Sequence, residues 1–188
     1  MRVERLFLAG VAAAGKTTLA RLYSRLYGTA WYEVEAPRCW PVAGPEARQR
    51  CFLREFMRIL RRGGAGAYSN HLLTVYAYSR ALGVAEVAEE ALEATRAQLE
   101  DHSDAGLVVL AASPEALRAR IAARLAAEGE RRANVVEGAI RLHLEAQRLL
   151  LEAARRLHLA VLDTTRLSPR EAALALRGLA LSRRVVSP

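Results

Sequence analysis

Apolar positions along the chain keep two rhythms, and the switches between them outline the fold. Residues 3–9 end in an unbroken apolar run, Leu6-Phe7-Leu8-Ala9, as in a strand buried on both faces. Residues 16–27 follow with Leu19, Leu22, Tyr23 and Leu26 at helical spacing, closed by Gly28. Ala30–Glu35 alternates around Trp31, Tyr32 and Val34 and reads as a second strand. Its period of two puts Glu33 and Glu35 on one face at its end. A loop marked by Pro37, Pro41, Gly44 and Pro45 precedes a helix over 46–62, with Phe52, Leu53, Phe56, Ile59 and Leu60 apolar.

Gly63-Gly64-Ala65-Gly66 ends that helix, and residues 67–70 read as a short third strand. Helices are expected over 71–82 and 84–100, parted by Gly83. Residues 106–111 form a fourth strand whose consecutive apolar residues suit a parallel sheet. Ser113-Pro114-Glu115 supplies an N-cap, a proline at the first helical position and a first-turn acid for a helix to about 127. A polar loop, a long helix over 134–157 and a fifth strand over 159–162 ending at Asp163 come next. Ser168-Pro169 opens the last helix, and residues 183–188 read as a frayed tail to a single domain spanning 1–182.

The junction of the first strand and first helix carries the chemistry. Gly10-Val11-Ala12-Ala13-Ala14-Gly15-Lys16-Thr17-Thr18 matches G-x-x-x-x-G-K-T in the strand–loop–helix setting that gives the motif meaning. Two glycines let the backbone curl so that its N–H groups converge on phosphate oxygens, and the helix adds the positive end of its dipole. Lys16 reaches the outer phosphates, and the Thr17 hydroxyl is placed to hold Mg2+. Gly10, Ala13, Ala14, Gly15, Lys16, Thr17 and Thr18 are therefore the expected ATP-binding residues. Strands alternating with helices around such a loop predict an α/β protein. Its architecture is a three-layer, doubly wound P-loop fold with a five-stranded parallel sheet, and nucleotides bind at the carboxyl ends of its strands.

Composition sharpens this. Lys16 is the only lysine among 28 basic residues, so the one compact, flexible cation sits where a phosphate loop needs it. The formal charge of +8 invites a nucleic-acid reading, but the arginines are scattered along helices rather than clustered with aromatics. Cys39 and Cys51 have no metal spacing and make no disulfide framework, so they read as reduced thiols. The four histidines show no metal spacing and read as surface residues. No stretch reaches membrane-span length, and the first strand begins beside Met1, so a cytoplasmic location is the expectation.

Several segments resemble the deoxynucleoside kinases, within the wider group that includes thymidylate kinases. Ala13-Ala14-Gly15-Lys16 resembles their form of the loop. Glu35, five residues before Trp40, resembles their E-P-x-x-x-W signature, although the proline here comes one position late, at Pro37. Gln49-Arg50-Cys51-Phe52-Leu53 resembles Q-x-Y-F-L, and Ser113–Leu117 followed by Arg120-Ile121 and Arg124 resembles the strand-then-lid segment. The resemblance implies Glu35 as general base toward a nucleoside 5′-hydroxyl, with Glu33 as its understudy. It implies Lys16, Arg120 and Arg124 on the transferring phosphoryl group, the two arginines at i and i+4 on one helix face next to a lid of about 124–134. Gln49 would read the base and Trp40 would pack on the nucleoside. It further implies ATP and Mg2+ as cofactors, and a homodimer through the 46–62 and 71–82 helices.

One departure limits the reading. Relatives carry an acid-arginine pair at the end of strand three, where this chain has Ser69 and Asn70. Three readings follow: a nucleoside kinase, a thymidylate-type monophosphate kinase using Arg38, Arg50 or Arg54 for the anionic acceptor, and a nucleotide-binding protein without turnover. A nucleic-acid-binding module, motivated only by charge, ranks below them.

Overall fold

A computed structural model describes residues 4–101, 105–130 and 133–182. Five strands form one all-parallel sheet: β1 (Arg5–Ala9), β2 (Trp31–Tyr32), β3 (Gly66–Tyr68), β4 (Ala105–Ala111) and β5 (Ala160–Asp163), in the order β2-β3-β1-β4-β5. The connecting helices are α1 (Lys16–Tyr27), α2 (Pro45–Arg62), α3 (Leu72–Ala81), α4 (Ala85–Asp101), α5 (Pro114–Ala127), α6 (Ala133–Arg156) and α7 (Pro169–Ser182). The predicted α/β class, the five-stranded parallel sheet and the central place of the first strand all hold. Leu6, Phe7, Leu8 and Ala9 are buried, as a strand covered on both faces requires. The 183–188 tail and part of the 124–134 lid segment lie outside the described residues.

The second strand is shorter than the 30–35 alternation predicts. Only Trp31 and Tyr32 pair with β3, opposite Ala67 and Tyr68. The next inward group, the Val34 N–H, donates to the Ser69 hydroxyl at 3.1 Å instead of a strand carbonyl. Glu33 and Glu35 thus leave the ladder and are exposed.

The 71–82 helix, expected at a dimer face, is internal. Leu72 to Ala77 and Ser79 of α3 are all buried within the chain itself, with α4 and α6 as its main helical neighbours. Its N-terminus explains a second correction, since His71 is fully buried rather than on the surface. Its Nδ1 accepts from the Leu73 N–H at 3.1 Å and caps the helix, so the proton rests on Nε2, which donates to Gln98 Oε1 at 2.7 Å. Burial, partly opposed by the Gln98 bond, lowers the His71 pKa to about 4. His143 is half-buried and His158 is exposed, while His102 lies outside the described residues.

The cysteines also differ from expectation: Cys39 and Cys51 form a disulfide, with Cα atoms 5.6 Å apart. A single 3-10 turn over Pro37–Cys39 folds the loop back onto the second turn of α2 and brings the two sulfurs together. Beside the disulfide, Arg38 pairs with the buried Glu55, which also binds Arg58 at 3.0 Å.

Two predictions follow from these contacts. A disulfide closing a loop with a sequence separation of 12 is worth about 3 kcal/mol. Cys51→Ser should therefore lower the thermal midpoint by several degrees, as should reductant on the parent protein, and reductant should leave Cys51→Ser unaffected. Second, His71 binds its proton more weakly folded than unfolded. The unfolded chain therefore takes up more protons between about pH 6.5 and 4, and stability should fall across that window as pH drops. Urea midpoints measured against pH should show the decline, blunted in His71→Asn, which keeps an acceptor near the Nδ1 position.

Candidate nucleotide-binding site

Because the strands run parallel, the segments leaving them emerge along one edge of the sheet. Residues 10–15 leave β1, Glu33–Glu35 leave β2, Ser69–Asn70 leave β3, Ala112–Ser113 leave β4, and Thr164–Thr165 leave β5. This is the edge where doubly wound sheets bind ligands.

The β1–α1 loop has the backbone a phosphate cradle needs. Gly15 sits at φ 91°, a left-handed conformation that glycine adopts freely, and hands the chain into α1 at Lys16. Gly10 is tightly packed: a Cβ there would lie 3.2 Å from the Leu110 carbonyl oxygen and from Ala14 Cβ, so its neighbours would have to shift by a few tenths of an ångström. Ala13 is less usual, at φ 62° with a side chain, a conformation costing on the order of 1 kcal/mol or more. Among the described residues it shares positive φ with only one other non-glycine, His158.

Two α3 side chains hold this loop. The Thr74 hydroxyl accepts from the Gly10 N–H at 3.3 Å, and the Tyr78 hydroxyl accepts from the Ala12 N–H at 2.9 Å. Thr74 and Tyr78 are four residues apart, hence on one face of the helix. The Tyr78 oxygen also lies 2.7 Å from Nδ1 of His143 on α6.

Lys16 folds back to donate to the Val11 carbonyl at 2.8 Å. Burial, and after it the nearby Arg124 guanidinium, lower its pKa to about 8. Thr17 is half-buried and Thr18 exposed in the first turn of α1; Ala13 is half-buried and Ala14 buried. A threonine hydroxyl is a hard oxygen donor of the kind Mg2+ accepts alongside nucleotide phosphates. Among the described residues no group of three or more His, Cys, Asp and Glu could hold a metal.

The remaining expected residues fall into separate places. Arg124 donates to Glu128 at 2.8 Å, while its charge also bears on Lys16, Tyr78 and His143. Arg120 reaches another neighbour, donating to the Thr164 hydroxyl at 3.1 Å and the Thr164 carbonyl at 2.9 Å. That anchors α5 to the loop after β5, where Asp163 accepts from the Thr165 N–H at 2.8 Å and the Thr165 hydroxyl accepts from the Ser113 N–H at 2.7 Å. Glu35 is exposed, one residue beyond the Val34 tie to Ser69. Glu33 pairs with Arg21 at 3.5 Å. Gln49 is buried on α2, its Oε1 3.5 Å from the Ser79 hydroxyl, whereas Trp40 is 66% exposed and edge-on to Phe52.

Tyr78, Thr74 and His143 carry no role in the sequence reading, which places the histidines on the surface. Their signal was present: a threonine and a tyrosine four apart on a helix whose first turns are largely apolar.

No protein-family model matches the chain, nor does any curated protein sequence. Solved structures do. The YorR protein of Bacillus subtilis, in complex with phosphorylated GDP, superposes with a TM-score of 0.65 at 14% identity, covering 98% of this chain and 99% of that one. Shikimate kinase of Acinetobacter baumannii gives 0.63 at 16% identity, covering 98% and 96%. Deoxyadenosine kinase of M. mycoides with bound dCTP gives 0.61 at 11%, covering 93% and 97%. The chain has the α/β fold of P-loop kinases.

The lowered Lys16 pKa sets an expectation for binding. Phosphate needs the ammonium form, which the free protein loses as pH rises through about 8. Nucleotide affinity should therefore fall above that pH, and binding near pH 9 should take up a proton. Calorimetry in buffers of different ionisation enthalpy measures both.

Proposed function

We propose that the chain is an ATP-dependent kinase that phosphorylates a nucleoside 5′-hydroxyl. The observation that carries this reading is the pairing, on one sheet edge, of a left-handed glycine loop bearing Lys16 with a carboxylate, Glu35, on the segment beyond β2. The loop would bind the triphosphate, with Thr17 and phosphate oxygens holding Mg2+ and Glu35 reaching the ion through water. Bound magnesium would neutralise charge on the phosphates. Glu35 would take the acceptor hydroxyl's proton, and Lys16 and Arg124 would meet the charge that develops on the phosphoryl oxygens. Phosphoryl transfer asks little covalent chemistry of the protein, so the positioning of these groups is most of the mechanism.

An uncharged acceptor is favoured over a monophosphate by the state of the arginines suggested for an anionic acceptor. Arg38 is committed to Glu55, and Arg50 is surrounded by Glu46, Glu86 and Glu90 at 3.2, 3.6 and 3.3 Å. Of the three arginines suggested for an anionic acceptor, two are thus already matched by carboxylates, with the exposed Arg54 the third.

A second reading, nucleotide binding with little or no turnover, is motivated by Ser69 and Asn70. The Ser69 hydroxyl accepts from Val34 N–H and the Asn70 side-chain oxygen accepts from the His71 N–H, so both serve the backbone. Neither supplies the acid or the cation that relatives place there.

Radiolabelled ATP with Mg2+ should be offered to nucleosides, nucleoside monophosphates and shikimate in parallel. Label on a nucleoside is the expected result, and Glu35→Gln should lower kcat by about 10²–10⁴-fold with the affinity for Mg2+-free ATP unchanged. Label confined to monophosphates or shikimate would replace the acceptor. ATP binding with no labelled product would favour the second reading.

A further inference from the structure

The pair Tyr78 and His143 belongs to neither of the roles above, yet it touches the phosphate loop directly. A phenol has one hydrogen. Because the Tyr78 oxygen accepts from the Ala12 N–H at 2.9 Å, its own proton is left for His143 Nδ1, 2.7 Å away. His143 must therefore be unprotonated at Nδ1. Burial first, then the charges of Lys16 and Arg124, lower its pKa to about 4, in keeping with that geometry. The rings meet edge to face, centroids 5.5 Å apart, which fixes the phenol's direction as well as its bond.

The bond lands on the residue before Ala13, the non-glycine held at φ 62°. A strained turn persists only where its surroundings over-determine it. Here the surroundings are Thr74 on Gly10 and Tyr78 on Ala12, two bonds from one face of α3 onto adjoining parts of the loop. Of these, only Tyr78 is itself held from a third element, α6.

We infer that Tyr78, oriented by His143, is a positioning residue that holds the Ala12–Ala13 turn in its phosphate-binding conformation and ties it to α6. The inference rests on the nucleotide-binding reading of the loop. Tyr78 and His143 act through the Ala12 amide and need not touch the nucleotide. Removing the hydroxyl frees the Ala12 N–H and lets Ala13 relax to negative φ, so the loop must be reordered each time a phosphate arrives. The loss therefore falls on nucleotide affinity.

Affinity for ADP and for ATP with Mg2+ should be measured by calorimetry on the full chain, alongside amide hydrogen exchange without nucleotide. Tyr78→Phe and His143→Leu should each weaken nucleotide binding roughly tenfold and speed exchange at Ala12, with kcat at saturating ATP changed less than twofold. His143→Asn keeps an acceptor near the Nδ1 position and should restore most of the affinity, which mere packing of the ring would not explain. Parental affinity in Tyr78→Phe, or His143→Asn as weak as His143→Leu, would overturn the inference and leave the nucleotide reading standing. Failure of the parent protein to bind either nucleotide would remove both. If the tyrosine variant unfolds, the two histidine variants and the exchange of Ala12 decide the matter.

Discussion

Everything near the site depends on a geometric constraint: five strands running the same way. In a parallel sheet the carboxyl ends of the strands lie along one edge, so side chains far apart in sequence meet there without any long loop to carry them. Burial of β1 on both faces makes this edge rigid at its middle. The phosphate loop is attached to that rigid middle, while Glu35 hangs from a two-residue strand at the sheet's border and depends on the Ser69 tie for its place. The β1–α1 loop is thus built into the core, and the segment bearing Glu35 is fastened on.

The fastening is polar and specific. Ser69 holds Val34, Arg38 sits on buried Glu55, and Cys39 is joined to Cys51. These contacts lie outside the reach of periodicity, because each links residues whose proximity is set by a turn and not by a repeat. The 3-10 turn at Pro37–Cys39 is why two unremarkable cysteines meet. The same holds for His71, whose burial comes from capping α3 beneath β1 and could not be read from a lone histidine in a polar stretch.

Elements of strong period were legible: the unbroken apolar β1 and β4, the amphipathic α2 and α6, and the loop motif between β1 and α1 all lie close to where the sequence places them. The alternation over 30–35 misled because it continues past Tyr32, where Val34 points inward toward a serine instead of a neighbouring strand. Arg120 and Arg124 share a helix face as their spacing requires, yet a helix crossing two sites serves both: one guanidinium binds Thr164 and the other bears on Lys16. Spacing fixes which way residues point, and only the packing decides what they meet.

That Lys16 is the sole lysine, with a pKa brought down to about 8, has a chemical corollary. Every other side chain that is fully cationic at neutral pH is a guanidinium, inert toward acylating and aldehyde reagents under those conditions. The chain's one ε-amine is also its most nucleophilic kind, carrying a substantial free-base fraction in mildly alkaline solution. Among side chains, amine chemistry is therefore directed by composition to the β1–α1 loop, with the α-amino group as its competitor, and a label on Lys16 needs no introduced residue.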